Sequence, residues 1–589
     1  MNLSFIKSYC SIASRILPPS RSSQPRYLSM SALKSYGRNP WTGRPMVVEL
    51  TSKEREIFDL LESAAVDISS LRRSKALASQ QNVESAEGVD LEGATILRVS
   101  GGWVRDKLLG RDSKDIDIAI NNMTGNEFCE FLQSKGLAGK VGKILARPEQ
   151  SKHLETATTK VLGVEIDFTN LRAETYAADS RIPCKMSFGT PVQDALRRDA
   201  TINALFYNLH TQEVEDLTGR GIDDLEARVI RTPLSPHETF LDDPLRVLRL
   251  VRFASRYEFE LDNDAKLAMA HPAIREAIKS KISRERIAAE LDKMLLSKHP
   301  LHAVETISSV GIFTDVFVAP DDSITAPLGY SIIGDAGPES LATATARRLA
   351  DVLDDPAYAV FENGNKLQVT DDLIRQMYIA AALSPYANLV IKDVAIPGAV
   401  APKQKVAAKH GPALSYILRH SFKSSNNDTQ VIPQLHSFQS AIHSAMASVE
   451  SIPENVSEQR SIVGTMIRKL GKQWPAYILF ALTMDLARNS PEADSTAIER
   501  YKGLVALINR LNLGDCYSLK PLVNGSDIAN ILEIKRDGRL GHLVELMIKY
   551  QLVNPDANAD QCRQHLVANR DTLLAMADQL LTGNNSGNI

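Results

Sequence analysis

The strongest constraint on this chain is the run from residue 95 to 120. A β-branched stretch (TILRVS) leads into a glycine turn and helix-forming segment (GGWVRDKLLG), then a second β-branched stretch (DIDIAI). Asp115 and Asp117 stand two apart in that second stretch, so a strand there sends both carboxylates off one face while Ile116 and Ile118 face a core. Two like charges side by side on a sheet are costly unless a cation lies between them. Mg2+ is the natural candidate, being a hard ion that takes oxygen ligands and keeps positions open for phosphate. VEIDF supplies a second acidic strand with Glu165 and Asp167 on one face. Either can complete a two-ion cluster; Asp167 is the first choice and Glu165 the reserve. Upstream, Gly101 and Gly102 let a triphosphate approach backbone N–H groups at a helix start, with Arg105 adding positive charge. The turn is neither a GxGxxG fingerprint nor a P-loop. A lone glycine pair reads as a tight turn and a lone DID as an exposed strand edge. The ordered set is what lifts both above those readings.

The remaining sequence sets the frame. At ~150 residues per domain, 589 residues hold about three or four domains. A content of 44% hydrophobic and 24% charged residues is that of a globular chain, and no apolar run is long enough to span a membrane. Cys10, Cys129, Cys184, Cys516 and Cys562 form no CxxC pair, which argues against a zinc module, a thioredoxin-like site or a disulfide scaffold. The net charge of -3 hides an asymmetry: residues 1–48 carry seven Lys or Arg and no acid, which leaves -3 - 7 = -10 on the rest. Nucleic acid, if bound, must therefore meet local basic patches. Residues 1–30 are basic, Ser-rich and acid-free with interspersed apolar residues, the composition of a mitochondrial presequence; a disordered basic arm is the plainer alternative. Met30 and Met46 offer later starts and hence cytoplasmic and nuclear products.

Periodicity predicts a helix from residue 51 to about 80, with Thr51 and Glu54 as a capping box. Strands are expected near 158–171 and 226–233, giving a mixed-sheet α/β unit over about 90–235. Beyond Pro244 helical spacing dominates, with loops near 318–340, 360–370 and 394–410. His436 and His443 read as packing or surface residues rather than ligands.

From residue 100 to 295 the chain resembles the polymerase-β nucleotidyltransferase superfamily, and within it the class II tRNA CCA-adding enzymes and their bacterial poly(A) polymerase relatives. GGWVRDKLLGRDSKDIDIAI is similar to the family's first motif, which implies Asp115 and Asp117 as metal ligands. RRDATINAL resembles the motif whose Arg and Asp contact the triphosphate and ribose, implying roles for Arg197, Arg198 and Asp199, with Asn203 on the same face. DLTGRGIDDLEARVIR is similar to the motif at the junction with the next domain. DDPLRVLRLVRFASR resembles the EDxxR motif that reads the nucleobase; Asp242 replaces the usual Glu, and the reading pair Asp243 and Arg246 is intact. On a helix these two stand one turn apart, with Arg249 and Arg252 on adjacent azimuths. They present acceptors and directional donors to a base edge, and each wrong edge costs about 1–3 kcal/mol. SRERIAAELDKML resembles the motif that braces the site.

The resemblance implies an α+β chain: a polymerase-β-like mixed-sheet head (49–235), a nucleobase-reading helical neck (236–310), and a helical body and tail that binds tRNA (311–589). It further implies two Mg2+ ions and tRNA lacking part or all of CCA as acceptor. CTP and ATP are the expected donors; neither a membrane nor a stable protein partner is expected. Segment 147–159 is a candidate lever for switching from C to A. Lys535, Arg536 and Arg539, in a helix-turn-helix-like stretch, are candidate phosphate contacts, with a solvated loop as the alternative. A poly(A) polymerase with the same site is the competing reading, and an inactive RNA-binding protein the distant third.

Overall fold

In the computed structural model, residues 34–76, 93–140, 142–144, 156–176, 183–317, 324–325, 337–391 and 411–585 are described. The chain divides its secondary structure as the periodicity predicts: strands first, then helices. Among the described residues nine strands fall before residue 216: β1 (Leu97–Ser100), β2 (Ile116–Ile120), β3 (Gly142–Ile144), β4 (Thr156–Val161), β5 (Val164–Asn170), β6 (Arg172–Tyr176), β7 (Pro183–Phe188), β8 (Phe206–Asn208) and β9 (Glu213–Glu215). Seven make one sheet in the order β3-β4-β5-β2-β1-β8-β9, while β6 and β7 pair as a separate hairpin.

Within the large sheet only β2 and β5 run parallel. A parallel pair needs a crossover, and the helix Gly125–Ser134 lies on that connection, with Phe128, Cys129 and Leu132 fully buried. The helix lies close because Gly125 has no side chain: a Cβ there would come 2.1 Å from the Phe168 carbonyl oxygen. Ile116, Ile118 and Ile120 point into the main core, whereas Ala119 joins Leu171, Ala195, Ala204 and Phe206 in a small apolar floor on the opposite face.

The capping box forms at Thr51 and Glu54, and the helix it opens runs Ser52–Ala76. Glu54 also accepts from Lys107 Nζ (2.8 Å) and Trp103 Nε1 (3.0 Å), which ties this helix to the glycine-turn helix Gly102–Leu108.

Three expectations need correction. The strand expected over 158–171 is two strands, because Leu162 and Gly163 adopt left-handed backbone (φ 50° and 85°) and turn the chain back on itself. The strand expected over 226–233 is mostly not one. The helix Gly221–Ala227 ends at left-handed Arg228 (φ 60°), and only Val229–Ile230 is extended, pairing parallel with Glu260–Leu261. Asp115 precedes β2 rather than lying in it.

After Pro244 helices prevail, and the described remainder holds only two-residue strands. The run from 430 to 510 resolves into four helices, Asn426–Glu450, Val456–Leu470, Trp474–Arg488 and Asp494–Arg510. A second hydrophobic cluster, built on Val523, Leu543, Met547, Leu566 and Leu573, gathers the C-terminal helices. Cys129, Cys516 and Cys562 are free thiols. Among the described residues no helix is long and apolar enough to cross a membrane. The expected presequence, Met30 and most of the 318–340 and 394–410 loops lie outside the described residues.

Candidate active site

The parallel pairing of β2 with β5 decides which carboxylates meet. The register sets Asp117 beside Asp167, so both project from the same face on neighbouring strands. Asp115 stands just before β2, and Glu165 lies two residues further back on β5, exposed and opposite Lys160 of β4. Thr158 of β4 donates its hydroxyl to Asp167 Oδ1 and orients that carboxylate. The Asp117 carboxyl is pushed above its ordinary value by the protein packed around it and then by the charge of Asp167. Arg198 opposes the shift and Asp115 adds to it. An all-oxygen cluster strained by its own negative charge is chemically suited to a hard cation. The side chains are not drawn into a ligand shell: among the described residues no three His, Cys, Asp or Glu groups close on a common point.

Beside the aspartates lies the glycine turn. Gly101 takes φ 71°, which only glycine adopts freely, and a Cβ on it would stand 3.1 Å from Arg198 Nη1. The Gly101 N–H already serves the Leu205 carbonyl at 3.1 Å. Arg105 is not the open cation expected. It is 4% exposed, donates to Asn203 Oδ1 and Asp106, and lies 4.6 Å over the Tyr257 ring.

The positive side of the site comes from the end of the short helix Pro191–Leu196. Asp194, 1% exposed, accepts from Arg197 at 2.5 Å and from Arg198 at 2.9 Å. Arg197 also meets Glu174 of β6 at 3.1 Å. Burial alone would raise the Asp194 pKa, but the two guanidinium charges overcome it and hold it down at about 2. The two arginines are therefore salt-bridged to a buried acid, with 19% and 18% of their side-chain surfaces left exposed.

Asp199 is buried, accepting from Asn203 Nδ2 at 3.1 Å and from Arg249 at 2.6 Å. Burial acts to raise its pKa, yet the Arg249 charge and these hydrogen bonds keep it lowered. Asp243 does not sit on the helix of Arg246. It ends the helix Pro236–Asp242, and its carboxylate accepts from the Leu245 N–H (3.2 Å) that opens the helix Leu245–Tyr257. It also pairs with Arg286 of the helix Arg284–Leu295 at 3.4 Å. Arg246 is buried and donates to the carbonyls of Thr239 (3.3 Å) and Arg197 (2.8 Å), joining this helix to the arginine patch. Arg252 turns away to Glu290 at 2.6 Å.

The register thus pairs Asp117 with Asp167, with Asp115 and Arg198 close enough to act on the Asp117 charge, and Asp194 joins Arg198 to Arg197. Arg105, Asn203, Asp199 and Arg249 form a linked lattice, Arg246 bonds the Arg197 carbonyl, and Asp243 pairs with Arg286. Asp194 and Glu174 escaped the sequence reading, as did the particular partners of Thr158 and of Arg286, whose segments it singled out. Asp194 alone left a signal, an acid three and four residues ahead of two arginines on a helix. Glu149 and His153 of the candidate lever lie outside the described residues, and its end, 156–159, is strand β4.

Residues 97–231 match the family described as "Poly A polymerase head domain", and residues 259–321 match "Probable RNA and SrmB- binding site of polymerase A". With the paired aspartates on neighbouring strands, this defines a polymerase-β-type nucleotidyltransferase. The mitochondrial CCA tRNA nucleotidyltransferase of Saccharomyces cerevisiae is 37% identical over 80% of this chain and 88% of its own length. The tRNA nucleotidyltransferase of Schizosaccharomyces pombe is 33% identical over 87% and 95%. The fold is shared with the Thermotoga maritima CCA-adding enzyme complexed with tRNA, at TM-score 0.52 and 18% identity, over 88% of this chain and 96% of that one. This chain belongs to the CCA tRNA nucleotidyltransferase family, is an enzyme of nucleotidyl transfer, and stands close to the family's fungal mitochondrial members.

Proposed function

We propose that the chain adds or repairs the 3'-terminal CCA of tRNA without a nucleic-acid template, drawing on CTP and ATP and releasing diphosphate. The observation that carries this reading is the Asp117–Asp167 register next to the Asp194-held arginine pair. Asp115, Asp117 and Asp167 would hold Mg2+, which when bound lowers the pKa of an attacking 3'-hydroxyl and neutralises leaving phosphates. Arg197 and Arg198, held in place by Asp194, bind and orient the triphosphate. Asp199 and Asn203 hold the turn beneath the ribose. Asp243, steadied by Arg286, presents acceptors to the base edge, and Arg246 fixes that helix on the arginine patch.

A head of 49–235, a neck of 236–310 and a helical body and tail of 311–589 fit this division of labour. Lys535 and Arg536 are exposed between the helices Gly525–Ile531 and Arg539–Val553, at a place suited to RNA phosphates. Residues 1–30 act as the mitochondrial presequence in this reading, in keeping with the named location of the yeast relatives. The decisive assay incubates tRNA lacking CCA with CTP and ATP and sequences the 3' ends. CCA ends are expected, with stalling after two cytidines when ATP is withheld; adenosine tails would establish the poly(A) polymerase reading instead.

A further inference from the structure

Residues 34–46 form a hairpin that has no part in the motifs above. Tyr36 N–H donates to the Met46 carbonyl and Met46 N–H to that of Gly37, both at 2.8 Å, with an antiparallel bridge between Arg38 and Pro45. Asn39 shapes the tip: its Oδ1 accepts the N–H groups of Trp41 (3.0 Å) and Thr42 (3.1 Å). Its Nδ2 donates at 2.9 Å to the carbonyl of Leu109, which caps the glycine-turn helix. Val214 of edge strand β9 donates its N–H to the Tyr36 hydroxyl at 2.9 Å. One side of the hairpin is therefore fixed to the sheet.

The tip reaches across to the helical part. Trp41 stacks on Phe259, ring centroids 5.4 Å apart, just beyond the helix Leu245–Tyr257. The guanidinium groups of Arg111 and Arg228 lie 4.9 Å and 5.5 Å from the Trp41 ring, and Arg111 is also 5.2 Å from the Tyr257 ring. From there contacts run inward. The Tyr257 hydroxyl donates to Asp106 at 3.0 Å, Arg105 covers the Tyr257 ring and holds Asn203, and Asn203 holds Asp199. Arg249 of the same helix returns to Asp199.

We propose that the 34–46 hairpin clamps the sheet to the nucleobase-facing helix, and that Trp41 is a positioning residue for nucleotide choice. By fixing the far end of Leu245–Tyr257 it sets the stance of Arg246 and of Asp243 at the near end. This rests on the nucleotide-adding reading above. A reading group displaced by a fraction of an ångström still binds a triphosphate but separates cytosine from uracil less well.

The test compares the unaltered chain with Trp41→Ala and Trp41→Phe on tRNA lacking CCA. It measures kcat/KM for CTP and for UTP separately, together with KM for the tRNA. Trp41→Ala should lower the CTP-over-UTP ratio about tenfold, the scale of one lost aromatic contact, and leave KM for tRNA unchanged. Trp41→Phe, which keeps a stacking face, should restore most of the ratio. An unchanged ratio in Trp41→Ala, or equal losses for CTP and UTP, overturns the proposal. If Trp41→Ala fails to fold, Trp41→Leu is judged by the same criteria. Failure of the unaltered chain to extend tRNA at all would count against the functional reading instead.

Discussion

At the residue scale, two aspartates of the head respond to pH in opposite senses. Asp117 has its pKa raised by surrounding protein and by Asp167, so it stabilises the fold while protonated. That contribution is lost as pH rises through its folded value. Mg2+ should supply the missing counter-charge. Thermal denaturation near neutral pH is expected to shift upward with Mg2+ in the unaltered chain and to lose that shift in Asp117→Asn. Nucleotide addition by Asp117→Asn or Asp167→Asn should fall about a hundred- to a thousandfold, the range lost when transition-state charge goes unstabilised; near-normal rates would remove these residues from the chemistry. Asp194 has the opposite sign. Its pKa is depressed to about 2, so its contribution is present above the usual carboxylate value and lost as pH falls toward 2. Asp194→Asn should cost about 3 kcal/mol at neutral pH by leaving two guanidinium groups short of charge. It should also flatten the acid limb of a urea-unfolding pH series. An acid limb that stays as steep as in the unaltered chain would mean another carboxylate governs it.

At the scale of elements, the position of Asp167 depends on how closely the crossover helix Gly125–Ser134 approaches β5. Gly125→Ala must push its methyl against the Phe168 backbone, so β5 has to shift. The expected result is a lower midpoint in thermal denaturation, by the ~1–3 kcal/mol typical of overpacking, accompanied by reduced nucleotide addition. Full activity at a lowered midpoint would show that the strand can move without disturbing the carboxylate. This dependence also marks how far the sequence was legible. The paired aspartates, the second acidic strand, the glycine turn and the capping box could be read locally, because period-two and period-four patterns carry them. The left-handed turn at Leu162–Gly163 could not, because β-branched residues continue on both sides of it. Nor could the break between Asp243 and Arg246: a helical wheel assumes one continuous helix, whereas Asp243 ends one helix and Pro244 begins the next. The partners Thr158, Glu174 and Arg286 come from elements remote in sequence, where periodicity says nothing.

At the scale of the whole molecule, the order of strands followed by helices was readable, and so was the absence of strand signal beyond Pro244. Which parts hold one another was not. The hairpin before residue 47 lies in a stretch that reads as the continuation of a basic arm, yet Met46 is wholly buried in the main core. Translation beginning at that methionine would place a charged ammonium beside its buried side chain and would discard Trp41, Asn39 and Tyr36 together. Such a product is expected to be insoluble or to melt well below one begun at Met30, a difference that expression of the two forms and thermal denaturation would measure. Packing thereby sets a condition on any shortened product: one that keeps the contacts of the hairpin has to begin before residue 34.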